Sequence, residues 1–191
     1  MPRQSRRTLH LTVIALHRGA EDCDAQLHES ALVNKNRNGS VLSLVVFGLT
    51  GQRYALPLHA VERVFPMAEV APLPKAPAIA LGVINLHGTI IPVLDIHRRF
   101  GFPPRDYGPA AHLLVARTSR RTLALPVDEV FGVREFAAEA AVPADAVLPR
   151  IGHVAGIVAL ADGLLFIHDL ETFLSLEEEH RLSEALETRG R

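Results

Sequence analysis

Asp95 and His97 lie two residues apart, and His168 directly precedes Asp169. A carboxylate beside an imidazole is what a metal centre or a proton relay requires. Neither pair carries the rest of such a site. Adjacent residues on a strand point to opposite faces, which separates His168 from Asp169. No nucleophile is supplied to either imidazole. The 10 histidines follow no familiar ligand spacing, and Cys23, the only cysteine, excludes thiolate-rich zinc sites. The chain contains no G-x-x-x-x-G-K-[ST], no G-x-G-x-x-G after a strand, no H-E-x-x-H and no G-x-S-x-G. These readings assign no catalytic residue, cofactor or metal, and the chain is not read as an enzyme. Arg117, Arg120 and Arg121 cluster at a predicted hairpin turn. A basic loop on a small barrel suits oligonucleotide binding, but the strands lack the aromatic platforms that stack on bases. A solvated turn, with no nucleic-acid partner, is the better reading.

The elements that must position these residues are built from aliphatics. The chain is 48% hydrophobic and 21% charged, has a formal net charge of -1, and contains no Trp and only 5% aromatics. That is the balance of a globular protein, without the electrostatic footprint of a nucleic-acid binder. A single cysteine fits a reducing compartment. The longest apolar stretch, "AIALGVINLHGTIIPVLDI", is broken by Asn85, His87, Gly88 and Pro92, so no direct membrane insertion is expected. His10 interrupts the apolar run after the arginine-rich opening, which is not read as a signal peptide. A cytoplasmic location is expected.

Residues 1–40 read as an N-terminal extension: "AEDCDAQLHESALV" has the composition of a helix, and "NKNRNGS" that of a polar linker. From Val41 the texture is β. Short aliphatic runs pair around turns at Gly51, at His87-Gly88, at the polar stretch after Arg117, and at Asp162-Gly163. The runs repeat: "YALPLHAVERVF" matches "LALPVDEVFGV", and "GVINLHGTIIPVLDI" matches "GIVALADGLLFIHDL". Gly82 recurs as Gly156, Leu86 as Leu160, and Asp95 as Asp169. About five short strands per half predict a mainly β protein of two small barrels related by duplication, with short helices and a C-terminal helix. The halves run over about 41–100 and 111–174, followed by a helical tail over 175–191. Pro57 and Pro126 should end their strands or sit at an edge, because proline donates no ladder bond.

Three polar residues have local explanations. Asp95 and Asp169 each end an apolar run and precede a short amphipathic stretch, where a carboxylate accepts N–H groups of a new helical turn. Ser175 and Glu178 form a capping box at the head of "SLEEEHRLSEALE". Leu182 and Leu186 give that helix a narrow docking face, and its charge run reads as a solvated one.

The stretch "GVINLHGTIIPVLDI" resembles the most recognisable segment of the CheW family, the coupling proteins of bacterial chemosensory arrays. That segment reads G-V-x-N-L-R-G-x-x-x-P-V-x-D-[LI]. Gly82, Val83, Asn85, Leu86, Gly88, Pro92, Val93, Asp95 and Ile96 match it. The likeness extends over roughly Val41 to Leu174. It implies two SH3-like five-stranded β-barrels sharing a core, and no enzymatic activity. It implies an adaptor that joins the cytoplasmic tips of methyl-accepting chemoreceptors to the regulatory domain of a CheA-type histidine kinase at membrane receptor arrays. It implies other CheW-like proteins as further candidate partners. The resemblance gives partner-binding roles to Val61, Glu62, Arg63, Gly82, Asn85, Leu86, His87, Gly88 and Val130.

Two departures matter. The family carries Arg where this chain has His87, and Glu where it has Arg63. In the family these positions form a surface pair. Neutral His replaces neither the charge nor the forked donors of Arg. Strict strand alternation sets Glu62 on the face opposite Arg63. A divergent partner set is therefore expected. Two alternatives stand beside the adaptor: a regulatory-type module that binds a kinase without receptors, and a small metal- or ligand-binding β-barrel enzyme.

Overall fold

The computed structural model describes residues 34–36, 39–99, 101–147 and 153–189. The helix expected over 20–33, and Cys23, lie outside them. The strands are β1 (Asn34–Asn36), β2 (Gly39–Leu49), β3 (Gln52–Pro57), β4 (Val61–Pro66), β5 (Ala80–Leu86), β6 (Thr89–Leu94), β7 (His112–Arg117), β8 (Thr122–Val127), β9 (Glu129–Ala137), β10 (Ala141–Pro143), β11 (Val154–Leu160) and β12 (Gly163–His168). The helices are α1 (Ile96–Arg99), α2 (Ala144–Val147) and α3 (Leu176–Arg189). The chain is thus mainly β with short helices and a C-terminal one, as the short aliphatic runs predict.

Two sheets form. The central sheet uses an uninterrupted stretch, Val61 to Val127, in the order β4-β7-β8-β6-β5. The terminal sheet uses the two ends of the described chain, in the order β1-β2-β3-β12-β11-β10, with β9 also paired to β2. The sheets obey one plan. Leu44 pairs with Pro57 as Leu113 pairs with Pro126. Ala55 meets Ile167 in parallel as Ala124 meets Val93. Val142 faces Ile157 as Ala71 faces Val83. The duplication is therefore a pseudo-two-fold in space, with hairpins exchanged between halves. β2–β3 completes the sheet of β9–β12, and β7–β8 completes that of β4–β6. Pro57 and Pro126 stand beyond Ala55 and Ala124, the last parallel partners of their strands, where their missing N–H costs no bond on that side.

Alternation along the exchanged hairpins explains why they are apolar on both faces. On β2, Leu42, Leu44 and Val46 enter one cluster, while Val45, Phe47 and Leu49 enter another. On β7, Leu113 and Val115 go one way, and Leu114 and Ala116 the other. Each sheet wraps its own cluster, and a third, shared cluster lies between the sheets and takes in Phe173 and Leu182.

α3 closes this shared core. Leu182 and Ala185 are buried, and Leu186 packs beside them. Its charge run is only partly solvated. Glu178 pairs with Arg99 at 2.7 Å, and Glu179 with Arg121 at 2.5 Å. Arg121 also donates to Ser183 Oγ at 2.6 Å, so it is not part of a free basic turn; Arg117 and Arg120 remain exposed. The stretch read as a linker contains β1, whose Asn34 pairs with Val41 at the edge of the terminal sheet. The second-half hairpin turns at Ala161–Asp162, with Leu160 facing Gly163, one residue earlier than the Asp-Gly signal suggests.

Candidate partner-binding surface

The β5–β6 hairpin joins Leu86 to Thr89 through His87 at φ 52° and Gly88 at φ 90°. Positive φ at both central positions makes a type I′ turn, which matches the natural twist of a hairpin. Histidine is among the side chains that tolerate this region. Asn85 Oδ1 accepts the Gly88 N–H at 2.8 Å and braces the turn from within. Asn85, His87 and Gly88 are exposed, and Leu86 is half-buried. Gly82 is buried at φ 153°, and a Cβ there would lie 2.3 Å from the Ala71 carbonyl oxygen. Ala71 and Val83 exchange two backbone hydrogen bonds of 2.9 Å, and Gly82 lets that segment approach.

β4 carries a bulge. Val61 pairs with Ala116 but Arg63 with Val115, so Glu62 is the extra residue. A bulge suspends alternation and re-aims side chains. Both Glu62 and Arg63 are exposed, and the separation expected from alternation does not hold. Val61 and Val130 are equivalent: Val61 is the first residue of β4 and Val130 the second of β9, and each packs half-buried against the shared core. Both are apolar positions at the edge of the shared core, the junction of the two sheets. Among the described residues no side-chain hydrogen bond or ion pair joins Arg63, Glu62 and His87.

Beside the junction lies a polar network that sequence reasoning missed. Asp95 is fully buried, and its Oδ1 accepts the His97 N–H at 2.9 Å and the Tyr107 hydroxyl at 2.7 Å. Its Oδ2 lies 3.4 Å from Arg98 Nε. Burial, then the Asp95 carboxylate, push the Tyr107 hydroxyl above its ordinary value. Arg105 stacks over the Tyr107 ring at 4.4 Å and donates to Asp128. Asp128 Oδ2 accepts the Thr50 N–H at 2.7 Å, and Thr50 Oγ1 shares a hydrogen bond with His97 Nε2. Burial pulls the Asp128 carboxyl upward, but Arg105 and the Thr50 N–H together hold it below its ordinary value. Thr50 sits at φ 54°, unusual for a β-branched residue, and both of its bonds fix it there. The network ties the β2–β3 turn to the crossover residue Asp128 and to α1. Its members are scattered along the chain, and only the neighbouring Asp95 and His97 stood out in the sequence.

Asp169 Oδ1 accepts the Glu171 N–H at 2.9 Å, repeating the local geometry of Asp95. Ser175 Oγ accepts the Glu178 N–H at 3.2 Å while Glu178 accepts the Ser175 N–H at 2.9 Å. His168 is buried, stacks on Tyr54 at 5.4 Å, and its Nδ1 meets the His153 carbonyl at 2.9 Å. Burial pushes its imidazole down to about 4. Among the described residues no three His, Cys, Asp or Glu side chains converge as metal ligands. No helix among them is long and apolar enough to cross a membrane.

The surface therefore offers exposed hairpin and bulge residues beside an apolar junction, the features of a protein contact. A probable chemotaxis protein CheW of Rhizobium etli is 26% identical over 146 residues, covering 75% of this chain and 94% of the relative. The chemotaxis protein CheW of Klebsiella aerogenes is 28% identical over 136 residues, covering 70% and 82%. The crystal structure of the scaffolding protein TtCheW from Thermoanaerobacter tengcongensis aligns with a TM-score of 0.65 at 27% identity, covering 71% of this chain and 94% of that one. Residues 43–178, nearly all of the two sheets and the start of α3, match the model of the CheW-like domain, and the chain belongs to that family.

Proposed function

We propose that this chain is a non-enzymatic adaptor of a bacterial chemosensory system. It couples chemoreceptors to a CheA-type histidine kinase by binding both. The observation that carries this reading is the match to the CheW-like domain over residues 43–178, with the β4 bulge and the β5–β6 turn exposed beside it. Val61 and Val130 give apolar contact to a helical receptor tip in the junction. The β4 bulge and the β5–β6 turn face the kinase regulatory domain. Signals pass as a change in the relative geometry or population of the bound partners. Each contact is weak alone and strengthened by repetition in an array at the membrane.

Arg63 and His87 mark the chain as a divergent member with its own partners. Binding assays with the receptor hairpin tips and the kinase regulatory domains encoded alongside this chain test the proposal. Binding to one of each is expected. Binding to a kinase domain and to no receptor tip favours a regulatory-type module instead, and binding to neither rejects the adaptor.

A further inference from the structure

The terminal sheet is assembled from two separate pieces of chain. β1, β2 and β3 form a self-contained arm, in which Asn34 pairs with Val41, and Leu44 with Pro57. The arm meets the body, β4 to α3, along two edges. Val45 pairs with Val133 on β9, and Ala55 with Ile167 on β12. Leu44, Val46 and Phe47 are buried. Polar contacts fasten the arm as well. Arg53 holds Asp162 at 2.6 Å, Gln52 Nε2 donates to the Leu164 carbonyl at 2.7 Å, and the Thr50 N–H donates to Asp128 at 2.7 Å. None of these contacts requires arm and body to belong to the same chain.

Arm and body are joined covalently at one place, the tight turn Leu58–Ala60. The Val61 N–H closes that turn by donating to the Leu58 carbonyl; no side chain caps it and none of its residues is buried. Leu58 and Ala60 are only partly covered by the shared core. Both flanks are already extended, Pro57 at ψ 134° and Val61 at ψ 121°. Opening the turn therefore lays β3 and β4 along one extended path, and its three residues span roughly 10 Å. The equivalent crossover, from β8 to β9, is fastened. The Asp128 N–H donates to the Gly48 carbonyl at 3.0 Å, and its carboxylate accepts from Arg105 and the Thr50 N–H. Opening there breaks side-chain bonds that opening at Leu58–Ala60 leaves intact.

We propose that two copies of this chain exchange arms when chains fold together at high concentration. β1–β3 of each protomer completes the terminal sheet of its partner, with Leu58–Ala60 opened as the hinge. A short hinge invites exchange, and the docked contacts are the same in monomer and dimer. Each junction is then built by two chains, because Thr50 of one protomer bonds to Asp128 and His97 of its partner. The exchange stands apart from the adaptor reading, which a monomer satisfies equally. It places two junctions and two β5–β6 turns on one particle, a bivalent presentation.

Cysteine pairing tests this in the full chain with Cys23→Ser. Ser43 on the arm and Glu135 on the body stand directly opposite across β2 and β9, within disulfide reach. Chains carrying only Ser43→Cys are unfolded in urea together with chains carrying only Glu135→Cys, refolded dilute or concentrated, and oxidised. Concentrated refolding should join the two kinds of chain by a disulfide, in a dimer measured by light scattering. Folded chains mixed without unfolding should give no such link. The double variant, Ser43→Cys with Glu135→Cys, should close within one chain when refolded dilute and between chains when refolded concentrated. Inserting Gly-Ser-Gly-Ser after His59 should abolish the interchain link, because a longer hinge lets each arm fold back onto its own body. Absence of the mixed link after concentrated refolding overturns the exchange. So does a link formed equally between folded chains or between two copies of the same variant, which marks a surface contact. Persistence of the link with the lengthened hinge overturns it too.

Discussion

The Tyr107 hydroxyl donates to Asp95 Oδ1 at 2.7 Å, bracing a carboxylate with no solvent-accessible surface. A hydrogen bond to a buried charge contributes more than one between neutral groups, and the loss leaves the acceptor unsatisfied. Tyr107→Phe should therefore cost about 1–3 kcal/mol in urea unfolding. Asp95→Ala should cost more, because it also frees the His97 N–H. Equal stability of wild type and Tyr107→Phe would remove the network from any role in holding the junction.

His168 gives the fold an acid limit. Its folded pKa, about 4, lies below the ordinary 6.5 of an unfolded chain. The unfolded state therefore binds the proton first. The stabilisation is fully present above about pH 6.5 and is lost as pH falls towards 4, by about 2–4 kcal/mol. His153, also pushed down by burial and then by Arg99, acts with the same sign. Unfolding midpoints followed from neutral to mildly acidic pH should fall across that window. His168→Phe, which keeps the stack on Tyr54, should flatten the slope.

Two glycines of the β5–β6 hairpin should respond differently to alanine. Gly82→Ala forces a methyl to within 2.3 Å of the Ala71 oxygen and should cost about 1–3 kcal/mol from overpacking, beyond its φ penalty. Gly88→Ala meets open space and should cost about 1 kcal/mol, from its φ of 90° alone. Loss of soluble protein only for Gly82→Ala, or a clear gap in unfolding midpoints, is the expected result.

Partner choice should be transferable. His87→Arg combined with Arg63→Glu restores the charge pair that the family resemblance implies. The double variant should bind a CheA-type kinase whose own adaptor carries that pair more tightly than wild type does, by about tenfold. No gain would mean that these positions lie outside the contact.

Much of the fold was legible because it rests on short-range signals. The short aliphatic runs "VLSLVVFGL" and "HLLVAR", the His87-Gly88 turn and the Ser175 box are all local. The exchange of hairpins was not legible, because sequence order does not encode which strand β3 will meet in parallel. The separation of Glu62 from Arg63 failed for a related reason. A bulge is one extra residue in a ladder, visible only once Val61 and Arg63 have chosen Ala116 and Val115. Arg121 looked like one more turn cation until α3 brought Glu179 to it.

The uninterrupted run of the central sheet has a consequence for biosynthesis. Every strand of that sheet has left the ribosome once Val127 emerges, so its ladder closes while the rest of the chain is still being made. β2 and β3 come out earlier yet wait for β9 and β12, carrying unpaired edges through that interval. Nascent-chain aggregation and chaperone capture should therefore centre on residues 39–57, which emerge before the central sheet and find their partners after it.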